Sequence, residues 1–231
     1  MPDRHGILLV VSGPSGSGKT TLCRRIANER ETHYSISCTT RPPRPGEENG
    51  RDYHFLPPEE FTRRVEAGDF LEHACVHGNH YGTLRSEVIG YLEKGMDVVM
   101  DIDVQGAAQV RACADPMIAG SLVDLFVMPP DEVELHARLS GRGTDSAEVI
   151  ALRMHNALEE MSHWSEYSFR LLSGTQEEDY FRFKSLLIGE RLRVSRLLPC
   201  TSSSASPDRS PPTRPLISPR NWSRPATRST W

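Results

Sequence analysis

The clearest feature of the hydrophobic pattern is an unbroken run near the start, Ile7-Leu8-Leu9-Val10-Val11, with glycines on either side at Gly6 and Gly13. A run apolar at every position predicts a strand buried on both faces, as in a parallel sheet covered by helices. The strand is expected over Gly6 to Val11, and a helix from about Lys19 to Arg30. A polar stretch rich in Pro and Gly follows from Thr39 to Asn49. Beyond it come a short strand around Tyr53-His54-Phe55, a helix starting near Pro58, and strand and turn from Phe70 to Tyr81. Helix-like Arg85 to Lys94 leads into the apolar strand Val98-Val99-Met100. A further strand, Leu122 to Val127, precedes a helix with Pro130 in its N1 region. A charged helix-loop-helix covers Asp131 to Trp164, and Tyr167 to Leu172 and a helix near Glu177 to Arg193 complete the pattern. Short strands alternating with helices point to an α/β fold with a parallel sheet.

Composition narrows the possibilities. With 231 residues and 37% hydrophobic content, the chain has material for a substantial core. The net charge of −4 does not suggest a general binder of nucleic acid. Ile7 to Val11 is far too short to span a membrane or to serve as the apolar part of a signal peptide. The five cysteines are scattered and include no CxxC pair, which argues against a disulfide framework or a zinc site and for a reducing, cytoplasmic compartment. After Leu197 the character changes. Residues 198–231 contain seven prolines, eight serines and five arginines against the single acid Asp208, so this +4 segment leaves −8 on the preceding 197 residues. Such a tail lacks the apolar surface to offset its ordering entropy and is expected to be disordered.

Gly13-Pro14-Ser15-Gly16-Ser17-Gly18-Lys19-Thr20 fits G-x-x-x-x-G-K-[ST] between a predicted strand and helix. Glycines let backbone N–H groups wrap phosphates at a helix N-terminus, where the dipole favours anions. Lys19 is placed to reach the β- and γ-phosphates of ATP, and the Thr20 hydroxyl to ligate Mg²⁺. The ATP-binding set is Gly13 to Thr20 with Thr21. Downstream, Val98-Val99-Met100-Asp101-Ile102-Asp103 is an apolar strand ending in a carboxylate, so Asp101 is expected near the metal, directly or through water. Between these motifs, Arg41 and Arg44 stand three apart in a proline-stiffened loop. The loop reads either as a solvated surface or as a fork for a monophosphate, whose oxygens would relieve the repulsion between the guanidiniums.

Ser35-Ile36-Ser37-Cys38-Thr39-Thr40-Arg41-Pro42-Pro43-Arg44-Pro45-Gly46-Glu47, followed by Gly50-Arg51-Asp52-Tyr53-His54-Phe55, resembles the GMP-binding segment of the guanylate kinase family. Phe70-Leu71-Glu72, Gly78-Asn79-His80-Tyr81-Gly82-Thr83 and Asp101-Ile102-Asp103-Val104-Gln105-Gly106 match as well. The likeness covers roughly residues 6 to 165. It implies a P-loop kinase that transfers the γ-phosphoryl group of ATP-Mg²⁺ to GMP. Arg41, Arg44, Tyr53 and Tyr81 would bind the GMP phosphate. Glu72 would accept from the guanine N1–H and 2-amino group, with Ser37, Thr83 and Asp103 completing the pocket. Arg138, Arg142 and Arg153 would belong to a mobile lid and act with Lys19 in catalysis. The implied layout is a core of 1–34, 84–137 and 155–197, a GMP-binding subdomain of about 35–83, and a lid of about 138–154. Alternatives are a non-catalytic binding module of the same fold and a kinase acting on a ribose bisphosphate. One stretch departs from the family pattern. Phe169-Arg170-Leu171-Leu172-Ser173-Gly174 has Ser173 where Asn is expected near the adenine, and Arg170 inside a strand.

Overall fold

The computed structural model describes residues 4–76, 78–140 and 146–197. The expected tail, Arg142 and part of the expected lid therefore lie outside the described residues. The strands are β1 Leu8–Ser12, β2 Thr32–Tyr34, β3 Cys38–Thr39, β4 His54–Phe55, β5 Phe70–Val76, β6 Asn79–Leu84, β7 Asp97–Asp101, β8 Leu122–Met128 and β9 Phe169–Leu172. The helices are α1 Lys19–Ala27, α2 Pro58–Glu66, α3 Ile89–Leu92, α4 Val104–Arg111, α5 Pro116–Ser121, α6 Glu132–Ser140, α7 Ala147–Ser162 and α8 Gln176–Arg191. A five-stranded sheet runs in the order β2-β7-β1-β8-β9, every pair parallel. A second sheet of four strands runs β4-β3-β6-β5.

The apolar run of β1 explains the layering. Its residues alternate between two cores. Leu9 and Val11 pack with Leu22 and Ile26 of α1 and Phe183 and Leu187 of α8 on one face. Leu8 and Val10 pack with Leu92 of α3, Val110 of α4 and Ile118 of α5 on the other. A central strand so covered has no solvated face, so its residues are apolar throughout. The second sheet has its own small core, Cys38, Phe61 and Phe70.

Several boundaries differ from the sequence expectation, each for a local reason. Helix α1 ends at Ala27 rather than Arg30, because the chain must reverse into β2 and does so with Glu31 at φ 65°. Arg85 to Lys94 splits into a 3₁₀ turn, Arg85–Glu87, and the short α3. β-branched Val88 and flexible Gly90 are weak helix formers. Pro130 is not the N1 residue of α6: the Asp131 carboxylate caps that helix by accepting from the Glu134 N–H at 2.7 Å, and the helix begins at Glu132. Helices α4 and α5 were not expected, although both carry N-cap aspartates, Asp103 and Asp115. Arg170 is accommodated because β9 is the sheet's edge: the residue is exposed and its guanidinium lies 4.9 Å from the Trp164 ring.

Asp97 clamps the rear of the sheet. It is fully buried at the start of β7 and accepts from Arg4 Nη1 at 2.8 Å, the Ile7 N–H at 2.9 Å and Arg191 Nε at 2.7 Å. One carboxylate thus ties β7 to two other segments, the stretch from Arg4 to Ile7 and the end of α8. Asp97→Ala strands Arg4, itself only 8% exposed, without its counter-charge. The expected loss is roughly 3–5 kcal/mol, read as a lower urea midpoint at unchanged slope. A loss below about 1 kcal/mol, the range of surface pairs, would show that the cluster does not clamp the sheet.

Candidate active site

The loop between β1 and α1 is built around backbone that only glycine tolerates. Gly13 has φ 153°, and a Cβ there would lie 2.3 Å from the Val127 carbonyl oxygen of neighbouring β8. The loop therefore leaves the end of β1 tightly against the sheet. Gly18, in the left-handed region, starts α1 without any side-chain cap, and the first turn of that helix carries no acid. The N-terminal N–H groups of α1 are thus left for an anion. Lys19 Nζ lies 3.5 Å from the Pro14 carbonyl oxygen, folded back over its own loop. Thr20 Oγ1 donates to Asp101 at 2.5 Å, joining the loop to the C-terminal end of β7.

Two cavities meet at this loop. The larger, about 580 Å³, is lined by Ser15 to Thr21 and by Arg25, Arg138, Ser173, Gly174, Gln176 and Asp179. The smaller, about 270 Å³, is lined by Gly13, Ser15, Lys19, Thr20, Ser37, Tyr53, Glu72, Tyr81, Asp101, Asp103 and Glu160, with Ala74, Val76 and Ile102 as apolar wall. Ser15, Lys19 and Thr20 belong to both.

Glu72 reaches the smaller cavity because of an irregularity in β5. Register shifts between Phe70 and Glu72, so the bulged strand sends three successive side chains to three places. Phe70 enters the small core, Leu71 the main core, and Glu72 the cavity wall. The carboxyl is 4% exposed. Burial pushes its pKa up to about 7, with the Asp103 charge adding to the rise and hydrogen bonds from Thr83 opposing it. Thr83 is fully buried and shares a 3.1 Å hydrogen bond with Ser37, so it supports the pocket from behind. Asp103 serves two ends, lining the cavity while accepting from the Gly106 N–H at 2.8 Å as N-cap of α4. A Cβ on Gly106 would lie 2.5 Å from Glu72 Oε2, so the helix start approaches the carboxylate as closely as glycine allows.

The arginines are placed differently from the expectation. Arg41 and Arg44 do not form a bare fork. Glu47 grips Arg41 with both oxygens, at 2.6 and 2.7 Å, and also accepts from the Arg44 N–H. That pairing holds Glu47 near pKa 2. Arg41 is buried beside Tyr53, 5.0 Å from its ring, whereas Arg44 is exposed, and neither lines the smaller cavity. Tyr53 and Tyr81 meet edge to face at 6.0 Å within it. Arg138 lines the larger cavity from α6. Arg153 is half-buried on α7 and lines neither.

Two acids were missed in the sequence. Glu160 lines the smaller cavity from α7; burial pushes its carboxyl upward and the nearby Lys19 charge opposes the rise. Its spacing of seven from Arg153 places the two on one helix face, a signal the sequence did contain. Asp179 lines the larger cavity and is only 8% exposed. It follows Glu177 and Glu178 in the first turn of α8, where acids are usual for the helix dipole.

Comparison with known proteins places this geometry in context. The family model described as guanylate kinase matches residues 5–189. A guanylate kinase of Chromohalobacter salexigens is 44% identical over 197 residues, covering 85% of this chain and 89% of that protein. One of Alkalilimnicola ehrlichii is 46% identical over 195 residues, covering 84% and 94%. The crystal structure of guanylate kinase from Anaplasma phagocytophilum superposes with a TM-score of 0.69 at 31% identity, covering 85% of this chain and 92% of that one.

The buried Glu72 carboxyl has a stability signature. Its folded pKa, about 7, lies above the unfolded value of 4.5, so folding favours the protonated form. Its contribution is fully present below pH 4.5 and is lost as pH rises through 7. Glu72→Gln removes this dependence. The ligand-free variant should gain stability over the parent between pH 4.5 and 7, by about 2–3 kcal/mol, with little further change at higher pH. Chemical denaturation across that range checks the sign, and a gap that shrinks as pH rises would refute it.

Proposed function

Because the chain belongs to the guanylate kinase family, we propose that it transfers the γ-phosphoryl group of ATP to GMP, releasing ADP and GDP. The observation that carries the reading is the sharing of Lys19 and Thr20 between the two cavities, one at the phosphate loop and one ending at the buried Glu72. A lysine at that junction serves a phosphoryl group that must pass from one side to the other.

In this reading the triphosphate lies along Gly13 to Thr21, against the free N–H groups at the start of α1. Thr20 and Asp101 offer hard oxygen donors at the ends of α1 and β7, which suits Mg²⁺ held mainly by substrate phosphates. Bound there, the ion would neutralise charge on the β- and γ-phosphates. Asp101 holds the Thr20 hydroxyl ready beside it. The acceptor needs no general base, because the GMP phosphate is already an anionic nucleophile. A bond forms from one of its oxygens to the γ-phosphorus while the bond to the β-bridging oxygen breaks, and ADP leaves with that oxygen. Lys19 and the arginines Arg138, Arg142 and Arg153 meet the charge spread over the transferring oxygens.

Tyr53 and Tyr81 donate to the acceptor phosphate, with Arg41 and Arg44 at its rim. Arg41 carries Glu47 as counter-ion until a phosphate dianion competes for the same fork. Glu72 takes the two guanine donors, Thr83 hydrogen-bonds its carboxyl, and Ser37, Thr83 and Asp103 complete the guanine pocket. Residues of about 35–83 are the acceptor subdomain and about 138–154 the lid of this scheme. Among the described residues the thiols of Cys23, Cys38, Cys75 and Cys113 are unbridged, which suits a reducing cytoplasm, where GMP phosphorylation would serve the recycling of purine nucleotides.

The test is base choice. Glu72→Gln presents an NH₂ to a guanine donor, so kcat/KM for GMP should fall at least about tenfold, the worth of one charge-assisted hydrogen bond. AMP, which lacks those donors, should lose much less, and KM for ATP should hardly move. Since guanine needs the ionised carboxylate, KM for GMP in the parent should also rise as pH drops below 7, and this dependence should vanish in the variant. Equal proportional losses for GMP and AMP would make Glu72 structural and sink the reading.

A further inference from the structure

Arg138 is held from two directions. Its Nε donates to Glu134 Oε1 at 2.8 Å, one turn back on α6, and its Nη1 donates to Ser173 Oγ at 3.2 Å, just beyond the end of β9. The Glu134 contact is an exposed i, i+4 pair, a weak constraint in water. Ser173 is different. It is 5% exposed, its backbone N–H is fixed to the Met128 carbonyl oxygen at 2.8 Å, and its hydroxyl donates to Asp179 Oδ2 at 3.0 Å. Asp179 in turn accepts the Gly174 N–H on Oδ1 at 2.8 Å, which locks the turn from β9 into α8.

The proton inventory leaves one arrangement. A guanidinium only donates and a carboxylate only accepts, whereas a hydroxyl has a single proton. With that proton on the Asp179 side, the Ser173 oxygen must present its lone pair to Arg138. Asp179 thus sets the polarity of the hydroxyl, and the hydroxyl sets where the guanidinium points. Two of the five N–H donors of Arg138 are used in this way, which leaves the rest for anionic oxygens in the larger cavity.

We propose that Ser173 and Asp179 are positioning residues that aim Arg138 into the triphosphate-side cavity. This rests on the reading of Arg138 as a phosphate-facing arginine. Neither residue needs to touch the reacting atoms, and the effect is carried entirely by the orientation of one guanidinium. Transition-state stabilisation by a fixed charge depends on its being held in place beforehand, so a loosened Arg138 lowers kcat more than it raises KM for GMP.

A mutant cycle tests this. Ser173→Ala removes the acceptor, and Asp179→Asn reverses the polarity, because the amide NH₂ can donate to Ser173 and turn its hydroxyl towards Arg138. Each should lower kcat about three- to tenfold with KM for GMP within about twofold, while Ser173→Thr, which keeps the hydroxyl, should restore kcat. Placed on Arg138→Ala, neither Ser173→Ala nor Asp179→Asn should cost more than about twofold further. Equal fractional losses with and without Arg138 would overturn the positioning role while leaving the Arg138 reading intact. Parental kcat in Arg138→Ala would overturn both. Ser173→Ala with parental kcat in the otherwise unchanged chain would overturn the positioning role directly. Thermal melting of each variant separates these outcomes from a failure to fold.

Discussion

The close approach of the phosphate loop to the sheet is the constraint on which the site depends. Strand β1 is buried on both faces, so its end can neither shift nor tilt without disturbing two cores. Gly13 continues from that end within a distance of the Val127 carbonyl that no side chain tolerates. The loop is therefore as well fixed as the strand, and so are the free N–H groups it leads into. The same register brings Asp101 at the end of β7 beside Thr20, since Val11 of β1 pairs directly with Asp101. The strand pairing places the loop and the Asp101 carboxylate side by side, and the Thr20 hydrogen bond joins them.

Charge is arranged around this fixed point in pairs that a ligand must exchange. Glu72, Asp101, Asp103 and Glu160 line the smaller cavity, and Lys19 is the cation among its described lining residues. Burial, with a smaller push from the Asp103 charge, raises the carboxyls of Glu72 and Glu160, and the excess of acid leaves the cavity unfavourable to a phosphate dianion unless cations are recruited. The arginines that would supply them are held nearby in neutral partnerships, Arg41 with Glu47 and Arg138 with Glu134 and Ser173. In the proposed reaction, substrate phosphates would compete for guanidiniums already oriented by their present partners, an exchange of hydrogen bonds rather than a capture of bare charge.

The sequence disclosed the fold and the loop more readily than the acceptor side. A buried parallel strand and a glycine-rich turn into a helix leave strong local signatures, and both elements lie where the pattern put them, apart from the early end of α1 at the left-handed Glu31. Arg41 and Arg44 show where local reading stops: spacing left a solvated loop and a phosphate fork both open, and nothing local revealed that Glu47, six residues on from Arg41, would occupy the guanidinium. Glu160 and Asp179 were hidden for a related reason. Acids on a charged helix or in a helix's first turn look solvated, and their burial is decided by segments distant in sequence. Glu72, singled out by resemblance, lines the smaller cavity, although the bulge that aims it has no recognisable sequence mark.

Ser173 and Arg170 depart from the family pattern, one where Asn is expected near the adenine and one inside a strand, and the structure gives each a physical setting. Arg170 stands on the outer edge of β9, stacked on Trp164, and costs the core nothing. Ser173 is shorter than the Asn expected there, yet Asp179 compensates: a carboxylate from α8 takes up the hydroxyl and the following N–H together. The result is a turn held by the Asp179 side chain, with the Ser173 oxygen accepting from Arg138 of α6. In the proposed positioning role, the mechanical consequence of the shorter side chain falls on Arg138, which lines the larger cavity beside Ser173 and Asp179. Guanidinium aim is thus set by hydrogen bonds at the turn after β9 and the first turn of α8, segments distant in sequence from Arg138 itself.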